Sequence, residues 1–283
     1  CFLLSAGPVT AGEIMYAVNS GLDALYTIDL DTGETTVIGP RGMGTSADAP
    51  VSLAGRANGA LFADNDLPTV ADGIFIIDPP SGLASFLDSD GGVVGSSPGP
   101  AQALAFSSTG ILYTLSGNPP GAGGGQLAIV HQMTGEKTLV GGDSIPELQG
   151  FDFNPADGFL YGISGSSSGD ATLLKISTSG SLVSSTPLSQ NIGALPGALA
   201  FTSTGRLVGT TLTGELFDID PASGQVGNVR SVAGGAAFSP QGLARALSAE
   251  ETALGYVWRP FAEGTGGGGA GPFCCTWFDY WDQ

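Results

Sequence analysis

One histidine, three cysteines and 26 acidic residues make up the chemistry-bearing inventory of this 283-residue chain. His131 is the only imidazole, so any Ser-His-Asp mechanism would have to use it. It stands four residues before Gly135, the place that Asp29, Asp78 and Asp220 hold before Gly33, Gly82 and Gly224. There a polar side chain bonds the backbone of a tight turn, so a structural role is expected over a catalytic one. No nucleophile and orienting partner can be assigned to it. The acidic groups Asp29-Leu30-Asp31, Asp64-Asn65-Asp66 and Asp88-Ser89-Asp90 offer oxygen ligands of the kind calcium takes. Asp64, Asp66, Asp88 and Asp90 are the best placed of these. None completes an EF-hand loop or a calcium-binding nonapeptide, so solvated turn residues are the expectation. No cofactor is expected, with a single calcium site as the alternative. The glycine run from Gly121 to Gly125 is not followed by Lys-Ser/Thr or a helical pattern, which excludes a phosphate loop.

The cysteines, Cys1, Cys274 and Cys275, lie near the two ends of the sequence. A bridge between adjacent residues closes a strained ring, since their Cα atoms are only ~3.8 Å apart. Cys1 with one of the C-terminal pair is the better-shaped bridge, leaving one thiol for an intermolecular bond or a free role. Three unpaired thiols remain the alternative, and the spacing fits no zinc site. Residues 1–11, Cys-Phe-Leu-Leu-Ser-Ala-Gly-Pro-Val-Thr-Ala, resemble the end of a signal-peptide apolar region, or else an apolar strand kept in the mature protein. Both readings lead to the expectation of export. Lipidation at Cys1 is poorly matched by the bulky Phe2-Leu3-Leu4 that follows. No apolar run reaches ~18 residues, so no transmembrane helix is expected.

The elements that would position these groups repeat. One unit is Leu104-Ala105-Phe106-Ser107-Ser108-Thr109-Gly110 followed by an alternating run, and it recurs as Leu199-Ala200-Phe201-Thr202-Ser203-Thr204-Gly205. Looser copies fall at 53–59, 151–158 and 237–242. A second unit is an alternating strand ending in Thr/Ser-Gly, as in Leu25 to Gly33 and Leu216 to Gly224. Its glycines, at 33, 82, 135, 180 and 224, are 49, 53, 45 and 44 residues apart. That is the length of one four-stranded blade. Period-two alternation with Gly, Asn, Asp and Pro at each reversal argues strands, and no sustained helical period precedes residue 248.

These repeats predict an all-β, five-bladed β-propeller over residues 13–247, with a six-bladed ring as the alternative if residues 236–261 form another blade. Ile14 to Val18 matches the second strand of a unit with no first strand before it. The missing strand is expected at Ala236-Ala237-Phe238-Ser239-Pro240, so that the two ends of the ring share one blade.

Ile77-Asp78-Pro79-Pro80-Ser81-Gly82 and Ile219-Asp220-Pro221-Ala222-Ser223-Gly224 carry this pattern furthest. It resembles secreted bacterial β-propellers of the YVTN and quinoprotein-like superfamily, whose blades often carry Asp-Pro-x-Thr/Ser-Gly turns after an Ile-Asp strand. The WD40 signatures are missing, and no Trp precedes Trp258. The resemblance implies a fold and carries no activity: the inward Glu, Asn and Asp ligands of propeller lactonases and sugar-binding relatives cannot be placed here.

Both ends depart from the repeat: an apolar extension over residues 1–12 and a C-terminal extension over 248–283. Ser248 and Glu251 form a capping-box pattern for a short helix, and Gly264 to Gly271 read as a flexible linker. All three tryptophans, Trp258, Trp277 and Trp281, lie beyond the ring, and aromatic residues of this kind anchor interfaces. A charge of −18 repels phosphate backbones and excludes nucleic acid as the partner.

The leading expectation is an exported, non-enzymatic propeller that polymerises head to tail into an extracellular filament or surface layer. Cys1, Cys274 and Cys275 would link copies covalently, while Phe2, Leu3, Trp277, Phe278 and Trp281 fill pockets on the neighbour. The alternative is a secreted or periplasmic propeller that binds a ligand or protein on its loop face, its tails docked on itself. A propeller hydrolase or lyase ranks third.

Overall fold

The computed structural model describes residues 12–19, 22–40, 52–56, 59–65, 73–86, 101–117, 124–142 and 144–245. Its strands form five four-stranded antiparallel sheets. Blade 1 contains β1 (Ile14–Asn19), β2 (Leu22–Asp29) and β3 (Thr35–Pro40). Blade 2 is β4 (Ser52–Gly55), β5 (Leu61–Asn65), β6 (Gly73–Ile77) and β7 (Ala84–Phe86). Blade 3 is β8 (Ala101–Phe106), β9 (Leu112–Gly117), β10 (Gly125–Val130) and β11 (Lys137–Leu139). Blade 4 is β12 (Gly150–Asn154), β13 (Phe159–Gly165), β14 (Ala171–Ile176) and β15 (Leu182–Pro187). Blade 5 is β16 (Pro196–Phe201), β17 (Leu207–Thr211), β18 (Glu215–Ile219) and β19 (Val226–Ser231). The last strand, β20 (Gly242–Arg245), pairs with β1 and supplies the inner strand of blade 1.

The ring is therefore five-bladed and closed by both ends of the chain, as the repeat predicts. The closing strand lies further along than expected. Gly235–Phe238 is a short 3-10 helix, and the strand begins at Gly242. Register explains the displacement. Met15 faces Arg245 and Ala17 faces Leu243, so Leu243-Ala244-Arg245 is the true fifth copy of Leu104-Ala105-Phe106. Phe238 instead caps the seam from its turn, stacking edge-on against Tyr26 with ring centroids 5.5 Å apart.

A lone four-stranded blade leaves both faces wet; stacking covers them. Five buried apolar clusters result, one for each seam between neighbouring blades. Phe62 of blade 2 meets Phe106 of blade 3 at 5.2 Å, and Tyr161 of blade 4 meets Phe201 of blade 5 at 5.3 Å. Both pairs are edge-on, the arrangement that favours aromatic quadrupoles. The repeating turn glycines add a seam contact. Gly224 packs beneath the end of β15, and its carbonyl accepts the Ser189 N–H at 2.9 Å. Gly33 plays the same part against blade 5, accepting from Ala233 N–H at 2.8 Å.

Candidate functional site

The inner strands of all five blades converge on the ring axis. There the side chains are small or absent: Ser52, Ala103, Gly150, Ala198 and Gly242 stand at equivalent places. A Cβ at Gly242 would sit 2.6 Å from the Leu53 backbone nitrogen, so glycine is what lets these strands close up. The axial cavity has a volume of about 10 Å³. That is about the room one water needs.

Among the described residues, two seams carry polar networks. Between blades 5 and 1, Arg230 donates from Nε to the Leu30 carbonyl and pairs with Asp218 at 3.3 Å. Asn228 donates to the other Asp218 oxygen at 2.8 Å, and Arg206 reaches Asp31 at 3.1 Å. The Glu13 carboxylate accepts the Ser203 N–H across the same seam. This is the seam beside the closing blade, crossed by the Arg206–Asp31 ion pair and by the Arg230 bond to the Leu30 carbonyl.

Between blades 4 and 5 the arrangement differs. Asp152 on β12 accepts the Phe153 N–H at 2.8 Å and, across the seam, the Phe201 N–H at 2.6 Å. Burial raises its carboxyl to about 7, outweighing the two N–H bonds that favour the ionised form. Nearby on the turn side, Asp157 accepts from Tyr161 at 2.7 Å and from Lys175 at 2.9 Å. The Lys175 and Tyr161 bonds, with the Phe159 N–H, hold the Asp157 carboxyl below its ordinary range despite the opposing cost of burial. Lys175 also lies 4.1 Å from the Phe159 ring centre, a cation–π contact.

A side groove of about 210 Å³ opens where the 188–195 connection crosses blade 5, between Gln190, Asn191, Ile192, Glu215, Phe217 and Val229. Its wall is braced: Asn191 donates to the Ser168 carbonyl at 2.8 Å and accepts the Gly193 N–H at 2.7 Å.

These features belong to a recurrent architecture. A nidogen/laminin complex structure aligns with TM-score 0.52 at 11% identity, over 83% of this chain and 98% of that one. A gluconolactonase from Xanthomonas campestris gives 0.47 at 14% identity, over 80% of this chain and 88% of that one. The likeness is one of fold. No family model matches the sequence, and no curated protein is similar to it. The chain is a five-bladed β-propeller with fold-level resemblance to other propellers.

His131 takes the turn role expected of it. Its Nδ1 pairs with the Thr134 hydroxyl at 2.9 Å, as Asp220 pairs with the Ser223 hydroxyl at 2.7 Å. Asp29 likewise accepts from Asp31 and Thr32, both at 2.9 Å. Asp64 lies within β5 and is buried, not in a solvated turn. Asp66, Asp88 and Asp90 lie outside the described residues, as do Cys1, Phe2, Leu3, Cys274, Cys275, Trp277, Phe278 and Trp281. Among the described residues, no three His, Cys, Asp or Glu side chains gather as metal ligands. No helix of the described residues is long and apolar enough to cross a membrane.

Asp152 is the group that sequence reasoning missed. A signal for it exists: aligned by register, Ala54, Ala105, Ala200 and Ala244 occupy its place in the other four blades.

Proposed function

We propose that this propeller is an exported, non-enzymatic structural module that associates with copies of itself through its terminal extensions. The observation that carries this reading is the rim of the disc. The five outer strands, β3, β7, β11, β15 and β19, contain no Asp or Glu, although the chain has 26 acidic residues. On or beside them Val37, Leu83, Leu139, Val183 and Val229 are 44–53% exposed. Two strongly anionic copies repel one another unless contact falls on a neutral, apolar surface. The rim strands carry no acidic side chain, with Lys137 and Arg230 their only charges, and among the described residues each is the edge of its sheet, which a further strand can join.

The extensions supply what would reach it. Residues 1–12 contain no charged side chain, and Phe2, Leu3, Trp277, Phe278 and Trp281 are the anchors on offer. Disulfides through Cys1, Cys274 and Cys275 would lock copies together outside the cell, where oxidation persists.

The test is electrophoresis of the purified full chain without and with thiol reductant. A ladder that collapses on reduction supports covalent assembly, and a monomer in both lanes refutes it. Truncation after Gly264 is expected to abolish assembly; intact filaments from that variant would remove the tail from the account. The side groove favours one second reading, a ligand-binding propeller with tails docked on itself. Monomeric behaviour with saturable binding that is lost in Glu215→Ala would identify it.

A further inference from the structure

The side groove of blade 5 carries a charge that no described residue answers. Phe217 and Ile192, both buried, form its floor, and Val229 stands 52% exposed at its outer edge. Glu215 and Gln190 are polar walls. Among the described residues the half-buried Glu215 carboxylate accepts no hydrogen bond and forms no ion pair, and the Gln190 amide group is likewise unengaged. The cations of the disc are already taken. Lys175 pairs with Asp157, Arg206 with Asp31 and Arg230 with Asp218. Arg56, Lys137 and Arg245 each have a partner as well. Of the eight basic residues, that leaves Arg41 and Arg259. Arg41 follows directly on β3 of blade 1, whereas the groove belongs to the seam between blades 4 and 5. Arg259, outside the described residues, stands in Val257-Trp258-Arg259-Pro260-Phe261, a cation set among aromatic side chains.

Groove and tail belong to opposite faces of the disc. Arg245 pairs with Met15, which also faces Ile28, so the chain leaves the ring beside the Asp29–Gly33 turn. Glu215 begins β18, whose far end carries the equivalent Asp220–Gly224 turn. To fill its own groove the tail would pass three strand spacings, ~15 Å, and the length of a six-residue strand, ~20 Å, before turning inward again. That uses nearly all of the ~45 Å that the chain from Arg245 to Arg259 spans when fully extended. A second disc stacked on the departing face presents its groove well within reach. We infer that the side groove is the socket for the Trp258–Phe261 segment of a second copy, with the Arg259 guanidinium donating to Glu215 and Gln190 and an aromatic ring lying on Val229. The inference rests on the proposed self-association and names where one copy receives the next. Departure from one face and reception on the other is a heterologous contact, which repeats head to tail. A guanidinium–carboxylate pair set against the Phe217 floor is stronger than one in open solvent. The socket sets direction and register, while the anchors beyond Gly264 still supply most of the association.

Sedimentation velocity of the full chain with reductant present, so that disulfides do not mask the equilibrium, tests the socket by charge exchange. Glu215→Arg and Arg259→Glu are each expected to weaken association about tenfold. An equimolar mixture of these two variants is expected to recover it, because the tail of the first fits the socket of the second. The chain carrying both substitutions is expected to recover it as well. Association unchanged in both single variants would overturn the socket and leave self-association standing. Loss in the single variants with no recovery in the mixture or the double variant would overturn the pairing of Arg259 with Glu215. An unmodified chain that stays monomeric at every concentration would overturn the socket and the proposed self-association together.

Discussion

Replacing Gly224 with alanine measures how much the repeated turn glycines hold the ring together, as opposed to merely turning the chain. Gly224 has φ +71°, and an added Cβ would lie 2.7 Å from the Pro187 carbonyl oxygen of the preceding blade. Gly205 has φ +82° with nothing within 4 Å of its Cβ position. Forcing alanine into the left-handed region costs about 1–2 kcal/mol at either site. At Gly224 the clash with a backbone oxygen adds a further overpacking cost of about 1–3 kcal/mol, because the β15 end cannot rotate away as a side chain would. Gly224→Ala should therefore lose about 2–5 kcal/mol and Gly205→Ala about 1–2 kcal/mol. Urea unfolding followed by far-ultraviolet dichroism resolves the difference, provided that the slope of free energy against urea stays constant between variants. Equal losses at the two positions would refute a seam role for the turn glycines and leave them as hairpin residues only.

Three further outcomes follow from the same geometry. Arg230→Met should destabilise the ring by about 1–3 kcal/mol in urea unfolding, because Asp218 and the Leu30 carbonyl lose a charged donor; an unchanged midpoint would mean that the closing seam does not need Arg230. Thermal stability of the unmodified chain should fall as pH rises from 5 to 8. The sign follows from the raised carboxyl of Asp152, about 7 in the fold: stability is fully present below the unfolded value near 3.9 and is lost as pH climbs through 7. A melting temperature that rises over that range would contradict it. On the rim, Val37→Lys with Val183→Lys should leave the melting temperature within a few degrees, since both side chains are already in solvent, yet suppress association in sedimentation velocity, because edge lysines block strand addition. Unimpaired association would move the interface off the rim.

Much of this fold is legible from residue order alone. The five glycines from Gly33 to Gly224 mark one hairpin per blade, and His131 reads correctly as a turn residue because its spacing to Gly135 matches that of its aspartate counterparts. The closing strand misleads for a definable reason. Ala237-Phe238-Ser239 imitates Ala105-Phe106-Ser107, whereas the true copy carries Arg245 in place of phenylalanine. Only pairing energy against β1 and the tight approach of Gly242 to Leu53 select the latter. The bond of Asp152 to Phe201 spans 49 residues of sequence, so local pattern could mark the residue as irregular without revealing its partner. The small-residue lining of the axis was equally hidden, since it depends on five strands meeting at once, each contributing a residue of no local distinction. The acid-free rim, by contrast, was open to view once the outer strand of each blade was known.

Negative-stain electron microscopy of the purified, unreduced full chain tests self-association most directly. A propeller that joins copies through its extensions should give chains or sheets of discs that disperse to single rings after truncation past Gly264. Single discs alone, at every concentration and salt level tried, would contradict it.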